Sequence, residues 1–199
     1  MPKIVDHEQR RRDIAEAVFR VIGIRGMEGV SLRDVATEAG VSMGSVQHYF
    51  NTKEEMLRFA LGYMRERAGE RFAAELGKLK NPSNRDYLRA ILRTLLPTNS
   101  QSRQEATVNI AFFSVSNGNR EFRRVLSDGY SRLLAACRQQ LANAERNGEL
   151  RSGIDVDAEA AALFFATQGL IGPVLIGSIS VTRALAILDH QLERIFVPG

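Results

Sequence analysis

The sequence predicts an all-α chain, and three observations carry that expectation. Apolar residues recur at spacings of three and four along most of the 199 residues, while two-residue alternation is scarce. Glycine, proline and asparagine interrupt these runs at intervals that suit helices. Hydroxyl residues stand at several run starts, where a side-chain oxygen satisfies first-turn N–H groups.

In the first element Ile14, Ala15, Val18, Phe19 and Ile22 share one helical face, and Gly26 and Gly29 end it. A short second helix spans 32–39, with Leu32, Val35, Ala36 and Ala39 apolar and Gly40 following. A third runs from about Met43 to Tyr49. A long fourth starts at Thr52 and is predicted to reach Lys80, about 40 Å at 1.5 Å per residue. Asn81-Pro82-Ser83-Asn84 stops it. Ser31 is followed by Asp34 and Thr52 by Glu55, each three residues on, and Ser42 precedes Met43. Hydroxyl caps with carboxylates reaching back have this pattern, and their density marks a tightly punctuated three-helix unit.

Further helices are predicted at about 85–96, 102–117, 119–147, 156–177 and 181–196. Pro97, Asn117-Gly118, Asn147-Gly148, Gly153 and Ser178 to Ser180 separate them. Pro173 falls inside the penultimate helix and is expected to kink or shorten it. The residues beyond Gln191 are expected to fray.

Composition narrows the function. Hydrophobic residues make up 44% and charged residues 25%, which suits a folded chain. The lone cysteine, Cys137, excludes an internal disulfide, and no Cys/His cluster has zinc spacing. The N-terminus lacks the apolar core of a secretory signal. Polar residues and glycines are expected to interrupt every apolar stretch well short of a membrane span, so the expected compartment is the cytoplasm, with no membrane partner. The formal net charge is +4, but the first 55 residues carry 8 Lys/Arg against 9 Asp/Glu. Residues 56–153 carry 17 against 9, so the basic excess lies mid-chain and locates no nucleic-acid site. The three histidines, His7, His48 and His190, have no metal spacing, and no glycine-rich loop follows a strand. Catalysis, metals and cofactors are therefore not expected.

Residues 31–50, SLRDVATEAGVSMGSVQHYF, read as helix, glycine-containing turn, helix. Ala36 is small where the helices cross, Gly40 supplies the turn, and Val41 and Val46 tuck inward. Met43, Ser45, Gln47 and His48 then point outward, where short polar side chains reach base edges in a major groove.

Residues 8–60 resemble the N-terminal domain of TetR-family transcriptional regulators. Gly26, Ser31-Leu32-Arg33-Asp34-Val35-Ala36, Ala39-Gly40-Val41-Ser42, Gly44, Tyr49-Phe50 and Lys53 carry the resemblance in order and spacing. His48-Tyr49-Phe50 is similar to the end of the third helix in the BetI-like branch. Two positions depart from the pattern. Gln47 stands where many members have tyrosine, and Met27 where an aromatic is usual.

The resemblance implies a helix-turn-helix domain over 8–68 and a helical ligand-binding and dimerisation domain over 69–199. It implies a homodimer on a near-palindromic operator. Base readout falls to Met43, Ser45, Gln47 and His48, with Gly44 in the same DNA-facing set. Phosphate positioning falls to Ser31, Arg33, Ser42, Tyr49, Thr52 and Lys53. Arg10, Arg11 and Arg12 are placed to reach DNA from an N-terminal arm. Lys53 at a helix start opposes the helix dipole, which an anion docking there would explain.

The later part resembles the family more loosely, best in Ala160 to Gly172. Leu163, Ala166, Leu170 and Val174, with Ile187, Leu188, Leu192 and Ile195, form stripes expected to pair the last two helices with their copies. A pocket for a small-molecule effector is expected among Asn109, Phe112, Phe113, Ser116, Tyr130, Leu134, Cys137, Phe165 and Gln168. The expected function is a repressor that a small molecule releases from its operator. The alternatives are a helical small-molecule binder and a regulator controlled by a protein partner.

Overall fold

The computed structural model describes residues 3–198, with side chains from His7 onward. Nine helices lie among the described residues: α1 (Lys3–Arg25), α2 (Leu32–Glu38), α3 (Met43–Tyr49), α4 (Lys53–Leu76), α5 (Asn84–Leu95), α6 (Ser100–Ser116), α7 (Arg120–Arg146), α8 (Val156–Leu175) and α9 (Val181–Ile195). By their internal contacts they form two units. One holds the chain through Arg67 together with Thr107–Arg123; the other holds Ala68–Ala106 and the chain from Arg124.

In the first unit α2 packs against both α1 and α3. Ile14, Val18 and Phe19 from α1, Val35 from α2, Val46 from α3 and Phe50 are fully or almost fully buried. Each such side chain contributes about 1.5–3 kcal/mol by leaving water. Met27 is buried as well, so its place in the family pattern is filled by packing. Gly26, at φ +68°, ends α1 with its N–H on the Ile22 carbonyl at 2.9 Å. Phe112 of α6 meets Phe122 of α7 edge to face at 5.3 Å in the same unit. Arg58 of α4 pairs with Glu121 at 3.1 Å.

In the second unit α5, α8 and α9 pack together around Leu88, Leu92, Leu163, Leu188 and Leu192, with Cys137 and Leu141 of α7 in the same core. The Ser83 hydroxyl and the Asp86 carboxylate form a reciprocal cap at the start of α5. Arg89 of α5 grips Asp189 of α9 through two bonds, at 2.5 and 2.9 Å.

Several expectations change. Helix α4 ends at Leu76 instead of Lys80, where Gly77 closes it on the Ala73 carbonyl at 2.9 Å. Among the described residues the stretch beyond Gln191 does not fray. Leu192, Ile195 and Phe196 are buried, and an antiparallel bridge joins Phe196 to Leu150. The Arg151 N–H meets the Ile195 carbonyl at 2.9 Å and the Val197 N–H meets that of Glu149 at 2.8 Å. Pro173 shortens α8, which ends two residues later at Leu175.

Contrary to expectation, α8 is long and apolar enough to cross a membrane, its best window having a mean hydropathy of 1.4. Its threonine, glutamine and glycines are too mild to interrupt the run. Its inner stripe, Ala160, Leu163, Phe164, Thr167, Ile171 and Val174, is buried in the protein. The α9 stripe also turns inward at Ala184, Leu188, Leu192 and Ile195. The apolar groups left outward on α8 include Phe165 and Ala166, and Ile176 just beyond its end is 81% exposed.

Candidate nucleic-acid interface

Local bonds fix the geometry of the α2–α3 turn. Gly40 takes φ +67°, and the following Val41 N–H returns to the Ala36 carbonyl at 3.0 Å. A Cβ in that backbone region costs roughly 1–2 kcal/mol. The Ser42 hydroxyl then caps α3 by accepting the Ser45 N–H at 3.1 Å. Val46 buries itself, which turns the opposite side of α3 to solvent.

On that side Met43 is 44% exposed, Gln47 and His48 are exposed, and Ser45 and Tyr49 are half-buried. Gly44 is exposed too, and a Cβ there would meet nothing closer than the Ser42 hydroxyl at 3.9 Å. The protein's own packing therefore does not require glycine at this position.

The flanking positions are held by caps. The Ser31 hydroxyl accepts the Asp34 N–H at 3.1 Å and donates to the Asp34 carboxylate. That hydrogen bond, with Arg25 adding its charge, holds the Asp34 carboxyl below its ordinary value. Thr52 accepts the Glu55 N–H at 3.1 Å, and the Glu55 carboxylate returns to the Asn51 N–H at 2.9 Å. Lys53 opens α4, and Arg33 is exposed on α2.

Ion pairing sorts the cations of this unit. Arg12 holds Glu66, Arg20 holds Glu38, Arg25 holds Asp34 and Arg67 holds Glu16. Arg10 lies 3.8 Å from Asp13. Arg33 and Lys53 carry no ion pair among the described residues, although the Arg33 charge helps to hold the neighbouring Asp34 carboxyl down. The N-terminal arm expected at Arg10 to Arg12 is instead part of α1. Arg11 lies over the rings of Phe59 and Phe50, at 4.4 and 5.0 Å, which ties it to the aromatic core.

The expected pocket residues divide between the two units. In the first, Phe112 is fully buried, Asn109 is half-buried, and Ser116 donates its hydroxyl to the Phe113 carbonyl at 2.7 Å. In the second, Tyr130 meets Phe164 edge to face at 5.7 Å and Leu134 packs on the core around Cys137. Gln168 is half-buried. Phe113 and Phe165 are 60% and 55% exposed, so neither ring is enclosed as an aromatic wall requires. Burial pushes the Cys137 thiol up to about 12, which leaves it protonated and unreactive at neutral pH.

A cleft of about 240 Å³ opens elsewhere in the second unit, lined by Arg71, Glu75, Lys78, Arg93, Thr98 and Asn99 among others. Its walls were not anticipated. They mix charged residues near the end of α4 and on α5 with Thr98 and Asn99 from the α5–α6 connection, and no periodicity singles them out. His7 was also missed as a member of the first site. It falls one turn before Arg11 and two before Ile14, so carrying the α1 stripe backward would have placed it.

Residues 14–59 match the model for bacterial regulatory proteins of the tetR family. Residues 84–197 match the model for the C-terminal part of BetI-type transcriptional repressors. The HTH-type transcriptional regulator PksA of Bacillus subtilis (strain 168) is 34% identical over 204 residues, spanning 99% of this chain and 95% of its own. The HTH-type transcriptional regulator BetI of Brucella anthropi is 28% identical over 156 residues, 77% of this chain and 79% of its own. Among solved structures, a transcriptional regulator from Saccharomonospora viridis in complex with choline superposes with a TM-score of 0.84 at 27% identity, over 96% of this chain and 100% of that one. A TetR-family regulator from Rhodococcus sp. gives 0.83 at 24% identity, over 93% and 97%, and shares the fold.

Proposed function

This chain belongs to the TetR family of DNA-binding transcriptional regulators, and from that premise we propose that it is an operator-bound repressor released by a small molecule. The observation that carries the DNA side is the pairing pattern. Arg33 and Lys53, on the helices before and after α3, form no ion pair among the described residues, while Arg12, Arg20, Arg25 and Arg67 are paired with carboxylates. Met43, Ser45, Gln47 and His48 read base edges in the major groove, and the bare Gly44 lets the helix approach closely. Ser31, Arg33, Ser42, Tyr49, Thr52 and Lys53 fix the register on phosphates. In Ser31, Ser42 and Thr52 the hydroxyl already accepts a first-turn N–H, so each holds its helix start in place while its oxygen is shared with a phosphate.

Two such faces acting together read a near-palindrome. The outward apolar residues of α8, Phe165 and Ala166, supply the surface on which a second copy pairs. The protein carries no reaction of its own and works in the cytoplasm, where a bacterial operator lies. For the effector, the choline held by the Saccharomonospora regulator is the first compound to try. Aromatic groups such as Tyr130 and Phe164 are the partners a quaternary ammonium takes. An effector moves the protein off DNA only by favouring a state that binds DNA worse. Helices α4, α6 and α7 each contribute residues to both units, so they are the elements through which that preference passes.

Footprinting on the DNA upstream of the protein's own gene, in about 100 mM salt, tests this reading. The expected result is a protected near-palindrome. Gln47→Ala is expected to relax base preference and Lys53→Ala to weaken all sites by about tenfold. No protection there, and no preferred sequence from a random-DNA selection, would overturn it.

A further inference from the structure

His7 stands on α1, outside the helix-turn-helix, and yet its ring is 4.7 Å from that of Tyr49, inclined at 60°. It also meets His48 at 6.4 Å, edge on. His48 and Tyr49 are themselves 5.1 Å apart at 81°. Three rings from two helices thus form one cluster at the end of α3. Two of its members, His7 and His48, are exposed, and Tyr49 is half-buried between them and the protein. One turn further along α1, Arg11 is pinned over Phe50 and Phe59. That anchor fixes the azimuth of α1, so the approach of His7 to Tyr49 is set by the fold.

We propose that His7 is a positioning residue for operator binding, bracing the Tyr49 ring so that its hydroxyl is already aimed when a phosphate arrives. The proposal rests on the reading of Tyr49 as a phosphate contact. A tyrosine on an exposed helix end has two torsions to fix on binding. A ring packed edge-on against one neighbour and tilted against another has largely fixed them beforehand, and that ordering cost leaves the binding step. His7 itself needs no charge and no contact with DNA. Any flat ring of similar size at position 7 does the same work.

The test is a double-mutant cycle on operator affinity, in the full-length protein on its footprinted site. His7→Ala is expected to weaken binding about three- to tenfold, the scale of one aromatic pair. His7→Phe is expected to restore binding to within about twofold, because packing alone is required. In a Tyr49→Ala background, His7→Ala is expected to add no further loss. Thermal melts check that each variant is folded, and His7→Phe and His7→Leu carry the comparison if His7→Ala is not. Three outcomes overturn the proposal. If Tyr49→Ala weakens binding and His7→Ala does not, His7 positions nothing. If His7→Phe is as weak as His7→Ala and the two losses add, His7 touches DNA directly. If Tyr49→Ala leaves affinity unchanged, the phosphate reading of Tyr49 fails and takes the proposal with it.

Discussion

Single residues here work in pairs, and pairing decides what each can do. Arg89 and Asp189 join α5 to α9, and the hydrogen bond from Arg89 holds the Asp189 carboxyl below its ordinary value. A carboxyl depressed in the folded state stabilises it fully above its unfolded value of about 4, and that contribution fades as pH falls through the lower folded value. Asp189→Asn is therefore expected to lower the melting temperature at pH 7, and the gap to the parent is expected to narrow as pH falls below about 4. Calorimetry across pH 2 to 7 reads this directly, and a gap that persists in acid would assign the loss to packing. Much at this scale was legible in the sequence. The caps at Ser31, Ser42 and Thr52 were, because a cap needs only the chain within three residues. The fate of Phe112 and Phe113 was not. They are adjacent, one is buried and one exposed, and the choice is made by Phe122 from another helix.

Elements are set by short-range chemistry and trimmed by long-range contact. The α2–α3 turn depends on Gly40, and Gly40→Ala is expected to cost about 1–2 kcal/mol because it forces a Cβ into left-handed backbone. A urea titration measures that loss. An unchanged midpoint would mean that the turn relaxes to another conformation, which the footprint would then show as altered spacing. The helix boundaries were mostly readable, since glycine and proline act on their own neighbourhood. The end of the chain was not. Beyond Gln191 the sequence offers little local support, and the order there comes from Glu149 and Leu150, far back in the chain. The extra membership of Thr107–Arg123 in the first unit was hidden for the same reason. The Arg58–Glu121 pair, far apart in sequence, is one contact that ties it there.

For the whole molecule, the family pattern in residues 31–53 made the function readable long before the regulatory part could be read. The DNA-facing pattern is short and local, whereas the second unit is held together by contacts between helices far apart in the chain. If the outward face of α8 is where two copies meet, Phe165→Glu is expected to give folded monomers and to lose the symmetric footprint, because Phe165 is 55% exposed within one copy, and the melting temperature is expected to lose its dependence on protein concentration. Sedimentation equilibrium decides between monomer and dimer. The commitment of Arg12, Arg20, Arg25 and Arg67 to carboxylates reaches further still. A protein that neutralises few phosphates displaces few counterions, so its grip on DNA falls only gently as salt rises. When water leaves a cell and potassium accumulates, densely cationic regulators are stripped from the chromosome together. If this chain represses its target as proposed, its hold on DNA is expected to outlast such a shock, which footprinting across a salt series would read.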